Sequence, residues 1–214
     1  MIKIDVLLGF LDSGKTTLIN SLISKENNEK IYILQQEDGK EKLNYKYSRL
    51  TPKITSSEIE EIVNDFSPDR IIIELNGMED IDEFLEIFHD KHIKAMCEIN
   101  KIITTIDAKK ANNYFMNMAQ IIRRYILNSD IVVLTKGENI NKKDIRNIKN
   151  NIKSINEIAT IHYFNNIEEE KSKVKKREFY SQIDKHSNTL FYIMLSLCIL
   201  VLIGFCFNLG NIIY

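Results

Sequence analysis

The chain has 214 residues, which is enough for one domain with a sizeable core and a small appendage. Its 29 basic and 30 acidic residues give a formal net charge of −1, which excludes the overall basic field of a typical nucleic-acid-binding protein, so we expect no nucleic-acid partner. The three cysteines, Cys97, Cys198 and Cys206, lack close spacing, which argues against a disulfide framework and a zinc knuckle and favours a reducing cytoplasm for the main domain.

Apolar runs alternate with amphipathic stretches between residues 2 and 164. Short apolar runs predict buried strands, and apolar residues that recur at helical spacing predict helices. In chain order the predicted elements are a strand at 2–10, a helix at 15–26, a strand at 30–36, a helix at 56–66, a strand at 69–75, a helix at 80–96, a strand at 100–107, a helix at 111–128, a strand at 130–135, a helix at 142–155 and a strand at 159–164. This alternation predicts an α/β fold with a mostly parallel sheet flanked by helices, in which ligands bind beyond the carboxyl ends of the strands.

Three of the predicted helices carry further signals. Ser57 and Glu60 have the spacing of a capping box, which predicts the start of the helix at 56–66. Two helices have apolar rows that predict their buried faces, namely Ile81, Phe84, Leu85 and Phe88 in one and Ile145, Ile148, Ile152 and Ile155 in the other.

The stretch GFLDSGKTT follows the first predicted strand and opens the first predicted helix. Gly9, Gly14, Lys15 and Thr16 match the pattern G-x-x-x-x-G-K-[ST]. Glycines let the main chain approach phosphate, and the loop N–H groups with the helix N-terminus form an anion cradle. Lys15 would supply charge to the β- and γ-phosphates, and the Thr16 hydroxyl would ligate Mg²⁺. The loop therefore predicts a P-loop nucleoside-triphosphate site, whose phosphate contacts also include Asp12, Ser13 and Thr17.

Three further polar stretches each follow a predicted strand: QEDG at 36–39, ELNG at 74–77 and TKGE at 135–138. Together with GFLDSGKTTLIN, their order resembles the CobW/HypB/UreG family of metallochaperone-type GTPases, and most closely its CobW-like branch. In that family the loop commonly reads G-F-L-G-S-G-K-T-T-L-I-N and is followed by N-E-F-G, P-D-x-I-x-I-E-x-x-G, a strand ending in D-A and a strand ending in N-K-x-D. The resemblance covers about residues 2–164 and rests mostly on the phosphate loop and the E-x-x-G segment.

The resemblance implies a function for each of these stretches. Glu37 would help to hold Mg²⁺ or to order its water, Glu74 would act near the γ-phosphate and Mg²⁺, and the Gly77 N–H would sense that phosphate. Lys15, Glu74 and Glu37 are thus the candidate catalytic residues, and Thr16, Glu37 and Glu74 the candidate Mg²⁺ ligands. The resemblance also makes a nucleotide-dependent homodimer credible.

Thr135, Lys136 and Glu138 occupy the places of the family's N-K-x-D motif, which recognises guanine. Glu138 keeps the two acceptors of the family's aspartate but adds a methylene, and Thr135 keeps only a hydroxyl. We expect GTP to be favoured over ATP. The alternative is a polar loop with no part in base recognition.

Two family features are missing. No cysteine occurs between residues 1 and 96, so the metal-binding C-x-C-C motif is absent and thiolate capture of a metal at that place is excluded. His89 and His92 lie three residues apart on a predicted helix, a spacing that could bind a metal ion. A solvent-exposed helix face is the simpler interpretation of this pair. The C-terminal CobW domain is replaced by a charged connector at 166–189 and an apolar stretch.

That apolar stretch, LFYIMLSLCILVLIGFCF at 190–207, has no charged residue. Extended to residue 209, it is long enough to cross a hydrocarbon core as a helix, whereas a buried core helix is the alternative. The basic residues upstream predict that the N-terminal part faces the cytoplasm, and no N-terminal signal peptide is apparent. The connector would be either a solvated tether or a contact for anionic lipid.

The sequence thus predicts a P-loop GTPase domain at 1–165, a juxtamembrane connector at 166–189 and a single-pass cell-membrane helix at 190–209. The predicted function is Mg²⁺-dependent GTP hydrolysis as a conformational switch, with a membrane protein as partner and metal or cofactor homeostasis as a possible process. The alternatives are a nucleotide-binding regulatory or scaffold module with negligible hydrolysis, and an ATPase of the same class.

Overall fold

The computed structural model of the chain describes residues 1–23 and 29–164. The strands are β1 Ile2–Leu8, β2 Ile31–Gln35, β3 Ser48–Leu50, β4 Arg70–Glu74, β5 Cys97–Asp107, β6 Ile131–Thr135 and β7 Thr160–Tyr163. The helices are α1 Lys15–Leu22, α2 Ser56–Phe66, α3 Ile81–Glu86, α4 Lys91–Met96, α5 Ala111–Asn117, α6 Ala119–Asn128 and α7 Lys142–Ile155, with a 3₁₀ turn at Ile87–His89.

All of these strands lie in one sheet, in the order β3-β2-β4-β1-β5-β6-β7. Each neighbouring pair is parallel, so the predicted α/β fold with a parallel sheet is confirmed. In a parallel sheet the carboxyl ends of all strands lie on the same side, which we call the carboxyl edge of the sheet. Because β1 lies between β4 and β5, the loop that follows β1 is placed at the middle of that edge.

Apolar side chains from the sheet and the helices form the core. Ile4, Val6 and Leu8 of β1 alternate toward one face, as a strand requires, and join the buried cluster that includes Ile59 of α2 and Phe84 of α3. A second cluster contains three isoleucines of α7, namely Ile145, Ile148 and Ile152, as the helical spacing predicts. Ile155, the fourth predicted member, is partly buried against this cluster.

Two predicted helices are interrupted. The helix predicted at 80–96 is α3, the 3₁₀ turn and α4, because Asp90 has an extended backbone and caps α4 with its side chain. The helix predicted at 111–128 divides into α5 and α6 at Met118, whose φ of −124° and ψ of 29° are not helical.

Two local predictions near α2 were wrong or incomplete. The N-cap of α2 is Thr55, whose side chain accepts from the Glu58 N–H, so the capping box predicted for Ser57 and Glu60 is not the one used. The short edge strand β3 was not predicted, and it pairs with β2 in a parallel register.

The predicted connector and membrane helix, at 166–189 and 190–209, lie outside the described residues. Among residues 1–23 and 29–164, no helix combines the length and apolarity needed to cross a bilayer.

Candidate nucleotide-binding site

A cleft of about 360 Å³ opens at the carboxyl edge of the sheet, beside the loop between β1 and α1. The predicted site residues that line it are Asp12, Gly14, Lys15, Thr16, Thr17, Glu37, Glu74 and Lys136. Further lining residues, which were not among the predicted site residues, are Leu11, Gly39, Lys40, Glu41, Asp107 and Lys110. The structure therefore brings the phosphate loop, the QEDG stretch and the ELNG stretch to one place.

The phosphate loop depends on a glycine at its start. Gly9 has a φ of +139°, and a Cβ there would lie 2.4 Å from the Thr105 carbonyl oxygen and 2.6 Å from Ser13 Oγ. No other residue fits this position, because both the conformation and the space exclude a side chain. The loop thus lies directly against β5, and the Ser13 and Thr105 hydroxyls are hydrogen-bonded at 2.6 Å.

Lys15 is buried at the first turn of α1, with 3% of its side chain exposed. Its ammonium donates to the Gly9 carbonyl at 2.7 Å and forms an ion pair with the Glu37 carboxylate. A buried ammonium needs such partners, because desolvating a charge without them is costly. The lysine is thereby held against the loop, where P-loop proteins use it to contact phosphate.

Thr16, Glu74 and Gln35 form a hydrogen-bonded group beneath the loop. The Thr16 hydroxyl donates to Glu74 Oε1 at 2.9 Å, and Gln35 Nε2 donates to Glu74 Oε2 at 2.7 Å. Glu74 is only 2% exposed. Burial raises the pKa of its carboxyl, although the hydrogen bonds from Gln35 and Thr16 and the charge of Lys15 oppose the rise. A hydroxyl and a carboxylate are oxygen ligands of the kind that Mg²⁺ takes, so this donor set fits the ion.

The turn after β4 packs directly on the phosphate loop. A Cβ on Gly77 would lie 2.8 Å from Phe10 Cα and 2.9 Å from the Leu11 nitrogen, so a glycine is required by this close approach. The Gly77 N–H points to Glu37 Oε2 at 3.5 Å. The stretch predicted to hold Mg²⁺ and the stretch predicted to sense the terminal phosphate therefore contact each other through Glu37.

The residues of the TKGE stretch separate into two groups. The Thr135 hydroxyl donates to the Ser13 carbonyl at 2.7 Å, and Lys136 contacts the Asp12 carbonyl and lies 3.2 Å from Asp107 Oδ2. Both therefore brace the phosphate loop. Glu138 is not among the residues that line the cleft and accepts from Lys109 at 3.0 Å, and this hydrogen bond lowers the pKa of its carboxyl.

Three residues that support the site had no role predicted from the sequence. Gln35 precedes the QEDG stretch and holds Glu74, Thr105 supports the loop from β5, and Asp107 pairs with Lys136 at the end of the same strand. The available signal was a polar residue at the carboxyl end of an apolar strand, which all three share.

A parallel sheet with a glycine-rich loop and a buried lysine after its central strand defines the P-loop class of nucleotide-binding proteins. A family model, CobW/HypB/UreG, nucleotide-binding domain, matches residues 3–52 and 48–163 of the chain. The chain belongs to this family, and the resemblance drawn from the sequence is confirmed.

Two curated relatives are similar over their common region. The chain is 26% identical over 161 residues to the zinc chaperone YjiA of Escherichia coli, an alignment that covers 64% of this chain and 50% of that protein. It is 23% identical over 184 residues to the zinc-regulated GTPase metalloprotein activator 1 of Schizosaccharomyces pombe, which covers 75% of this chain and 45% of that protein. The chain therefore spans about half the length of these relatives.

Solved structures share the fold. The Zn(II)-bound YjiA GTPase of Escherichia coli superposes with a TM-score of 0.58 at 20% identity, over 76% of this chain and 57% of that one. The hydrogenase maturation factor HypB of Archaeoglobus fulgidus gives a TM-score of 0.55 at 18% identity, over 86% and 88% of the two chains.

Proposed function

We propose that the chain binds GTP with Mg²⁺ and hydrolyses it, and that the nucleotide state switches its conformation. The observation that carries the proposal is the hydrogen-bonded group of Thr16 and Glu74 beside the buried Lys15, under a loop with the phosphate-binding pattern. This arrangement supplies an ammonium for phosphate and two oxygen ligands for a divalent cation.

The proposed chemistry is attack of water on the γ-phosphate. Lys15 would offset phosphate charge, Thr16 and Glu74 would hold Mg²⁺ or a water bound to it, and the loop amides would orient the phosphate chain. Mg²⁺, when bound, supplies further charge compensation to the phosphate oxygens. The Gly77 N–H would report the presence of the terminal phosphate to the turn after β4, which packs on the loop.

Phosphate release by the purified full chain with GTP and Mg²⁺ tests the proposal. Lys15→Ala and Glu74→Ala are each expected to lower turnover by about a hundredfold or more, because the first removes an ammonium that offsets phosphate charge and the second removes an oxygen ligand for Mg²⁺ or its water. Lys94→Ala and Glu157→Ala, which change exposed residues of the same types, are the matched controls and should keep wild-type turnover. Equal turnover in Lys15→Ala and wild type would refute the assignment.

The main alternative is a nucleotide-binding module that hydrolyses GTP negligibly. Its support is the altered base-recognition motif, in which Glu138 pairs with Lys109 and does not line the cleft, so that the chain departs from the family's pattern for a GTPase. Tight GTP binding without measurable phosphate release in the wild-type chain would support this alternative. An ATPase of the same class is the other alternative, and competition of ATP against bound GTP distinguishes the two nucleotides.

We also propose that residues 190–209 tether the chain to the cell membrane, with residues 1–165 in the cytoplasm. The support is the uncharged run at 190–207 and the basic residues before it. We then propose a membrane protein as partner. We also propose that two copies of the chain form a homodimer that depends on bound nucleotide.

Metal or cofactor homeostasis is the process we propose, because both curated relatives carry zinc in their names. Among residues 1–23 and 29–164, no group of three or more histidine, cysteine or acidic side chains could hold a metal ion. For the described part of the chain we propose a nucleotide-dependent role in that process.

A further inference from the structure

Glu37 bridges two groups that face the phosphate end of the cleft. One carboxylate oxygen forms the ion pair with Lys15 Nζ, and the other accepts the Gly77 N–H at 3.5 Å. The Glu37 side chain is 15% exposed, so the pair is shielded from water on most sides. One carboxylate thus engages both the ammonium and the main-chain donor that the proposed function assigns to the terminal phosphate of GTP.

The Glu37 carboxylate contacts Lys15 and the Gly77 N–H in the same way that a phosphate group would. A carboxylate and a phosphate are both oxyanions with several acceptor lone pairs, and each satisfies a buried ammonium and an N–H together. Lys15 needs one such anion, since its other hydrogen bonds go to the Gly9 and Phe10 carbonyls, at 2.7 and 3.4 Å. Two anions on the same donors would repel each other, so one must leave when the other binds.

We infer that the Glu37 carboxylate competes with the terminal phosphate for Lys15 and the Gly77 N–H, and thereby determines how strongly the site prefers GTP over GDP. The inference rests on the proposed function, because it concerns the same nucleotide site. GDP lacks the terminal phosphate, so it competes for Lys15 only through its β-phosphate and leaves the Gly77 N–H to Glu37. GTP must displace it, and its net affinity is lowered by the lost ion pair.

The local structure allows Glu37 to leave without disturbing the sheet. Gln36 is fixed, because its N–H donates to the Glu74 carbonyl at 3.0 Å and its side chain accepts the Asn76 N–H at 2.8 Å. Two residues beyond Glu37, the Gly39 backbone has open space around it, with no atom within 4 Å of a Cβ built there. The segment between Gln36 and Gly39 is therefore the place where displacement would be absorbed.

Displacement of Glu37 would also change the conformation of the exposed residues that follow it in the chain. Lys40 follows Gly39, and its ammonium lies 3.2 Å from Asp12 Oδ2 on the phosphate loop. Lys40 is 89% exposed, so this ion pair is weak and breaks at little cost. Release of Glu37 would thus be followed by rearrangement of residues 37–41, which makes the GTP form differ from the GDP form at this segment.

A competing Glu37 and a Mg²⁺-binding Glu37 predict opposite changes in triphosphate affinity when Glu37 is replaced by glutamine. If Glu37 holds Mg²⁺ or its water, Glu37→Gln weakens binding of the triphosphate in the presence of Mg²⁺. If Glu37 competes with the phosphate, Glu37→Gln strengthens that binding, because the glutamine amide carries no charge to pair with Lys15.

The experiment measures Kd values of the full chain for a fluorescent GDP and a fluorescent non-hydrolysable GTP analogue, each with Mg²⁺ and with EDTA. Glu37→Gln is expected to lower the Kd of the triphosphate by about tenfold in both conditions and the Kd of GDP by no more than about threefold, because GDP competes with Glu37 at Lys15 alone. Asp38→Asn is the matched control, because it removes an equal charge from the neighbouring residue, whose carboxylate pairs with Lys42. It should leave the ratio of the two Kd values unchanged.

An unchanged or raised triphosphate Kd in Glu37→Gln, with wild-type binding of GDP, would overturn the inference while leaving the proposed nucleotide site intact. Equal changes in the Kd values of GDP and the triphosphate would overturn it as well. If the wild-type chain binds neither guanine nucleotide at millimolar concentration, the proposed function fails and the inference fails with it. A thermal unfolding midpoint within a few degrees of wild type shows that Glu37→Gln is folded.

Discussion

At the scale of single residues, the buried carboxylate of Glu74 lowers the stability of the folded protein. Its carboxyl is 2% exposed at the carboxyl end of an otherwise apolar strand, and burial raises its pKa. The folded protein therefore keeps a carboxylate in a place where its charge is disfavoured. Such residues are common in functional sites, where a bound cation or ligand offsets the cost.

Glu74→Gln is predicted to stabilise the protein at neutral pH. Because folding raises the pKa of Glu74 above its ordinary value of 4.5, the folded state binds the proton more tightly than the unfolded state does. The contribution of Glu74 to stability is thus fully present below pH 4.5 and is lost as the pH rises through the raised pKa. Glutamine does not titrate, so the variant should melt about 3 °C higher at pH 7.5, and the difference should vanish toward pH 4.

Thermal unfolding of wild type and variant across this pH range, without nucleotide or divalent cation, checks the prediction. Glu157→Gln, at an exposed position, is the control and should follow the wild-type curve. A constant difference between wild type and Glu74→Gln at every pH would mean that packing, and not charge, separates them.

The sequence predicted part of this site and could not predict the rest. Lys15 and Thr16 are specified by a local motif, and Glu74 by its position at the end of a buried strand. The roles of Gln35 and Thr105 come from neighbouring strands, since Gln35 pairs with Glu74 across β2 and β4, and Thr105 of β5 touches the phosphate loop. Strand order is not readable from a single sequence, so such partners appear only in the folded structure.

At the scale of elements, local side-chain chemistry overrides helical periodicity. The apolar row that ends at Phe88 predicts one helix at 80–96, yet the helix stops at Glu86 and a new one starts at Lys91. Asp90 accounts for the restart, because its side chain accepts from the N–H groups of His92 at 2.8 Å and Ile93 at 3.2 Å. An aspartate that can cap a helix competes with its own inclusion in one.

Asp90→Ala is predicted to destabilise the protein through loss of the α4 cap. Hydrogen bonds from the N–H groups of Ile93 and His92 lower the pKa of Asp90 below its ordinary value of 3.8. Its contribution to stability is therefore present above pH 3.8 and is lost as the pH falls through the lowered pKa. At pH 7 the variant should melt about 2–4 °C below wild type.

Asp90→Asn tests whether the cap itself is responsible. Asparagine keeps a side-chain oxygen that can accept from the same N–H groups and does not titrate in this range. It should retain most of the wild-type melting temperature at pH 7. If Asp90→Asn melts as low as Asp90→Ala, the charge of Asp90 and not its hydrogen bonds stabilises this turn.

Strand β3 shows the limit of pattern reading for short elements. It has only three residues, Ser48–Leu50, and follows a segment rich in lysine and tyrosine that contains no apolar run. Its pairing with β2 at the edge of the sheet decides its conformation. Long, buried strands such as β4 were predicted within one residue at each end, because burial on both faces leaves an unmistakable apolar run.

At the scale of the whole molecule, the run at 190–207 differs from the rest of the chain in its lack of charge. The chain as a whole contains 28% charged residues and is close to neutral. The run at 190–207 contains no charged residue and is almost entirely apolar, and lysines and arginines precede it. A run of this length favours a membrane span, because a soluble helix that is apolar on all sides needs protein around it.

Alkaline carbonate extraction of cell membranes is predicted to leave the full chain in the membrane pellet. Leu197→Lys combined with Val201→Lys should release it to the soluble fraction, because each lysine near the centre of a span costs about 2.5–3.5 kcal/mol on insertion. Ser187→Lys with Asn188→Lys, just before the apolar run, is the matched control and should remain in the pellet. A wild-type chain in the soluble fraction, whose melting temperature falls on substitution of Leu197 and Val201, would instead identify 190–207 as a buried core helix.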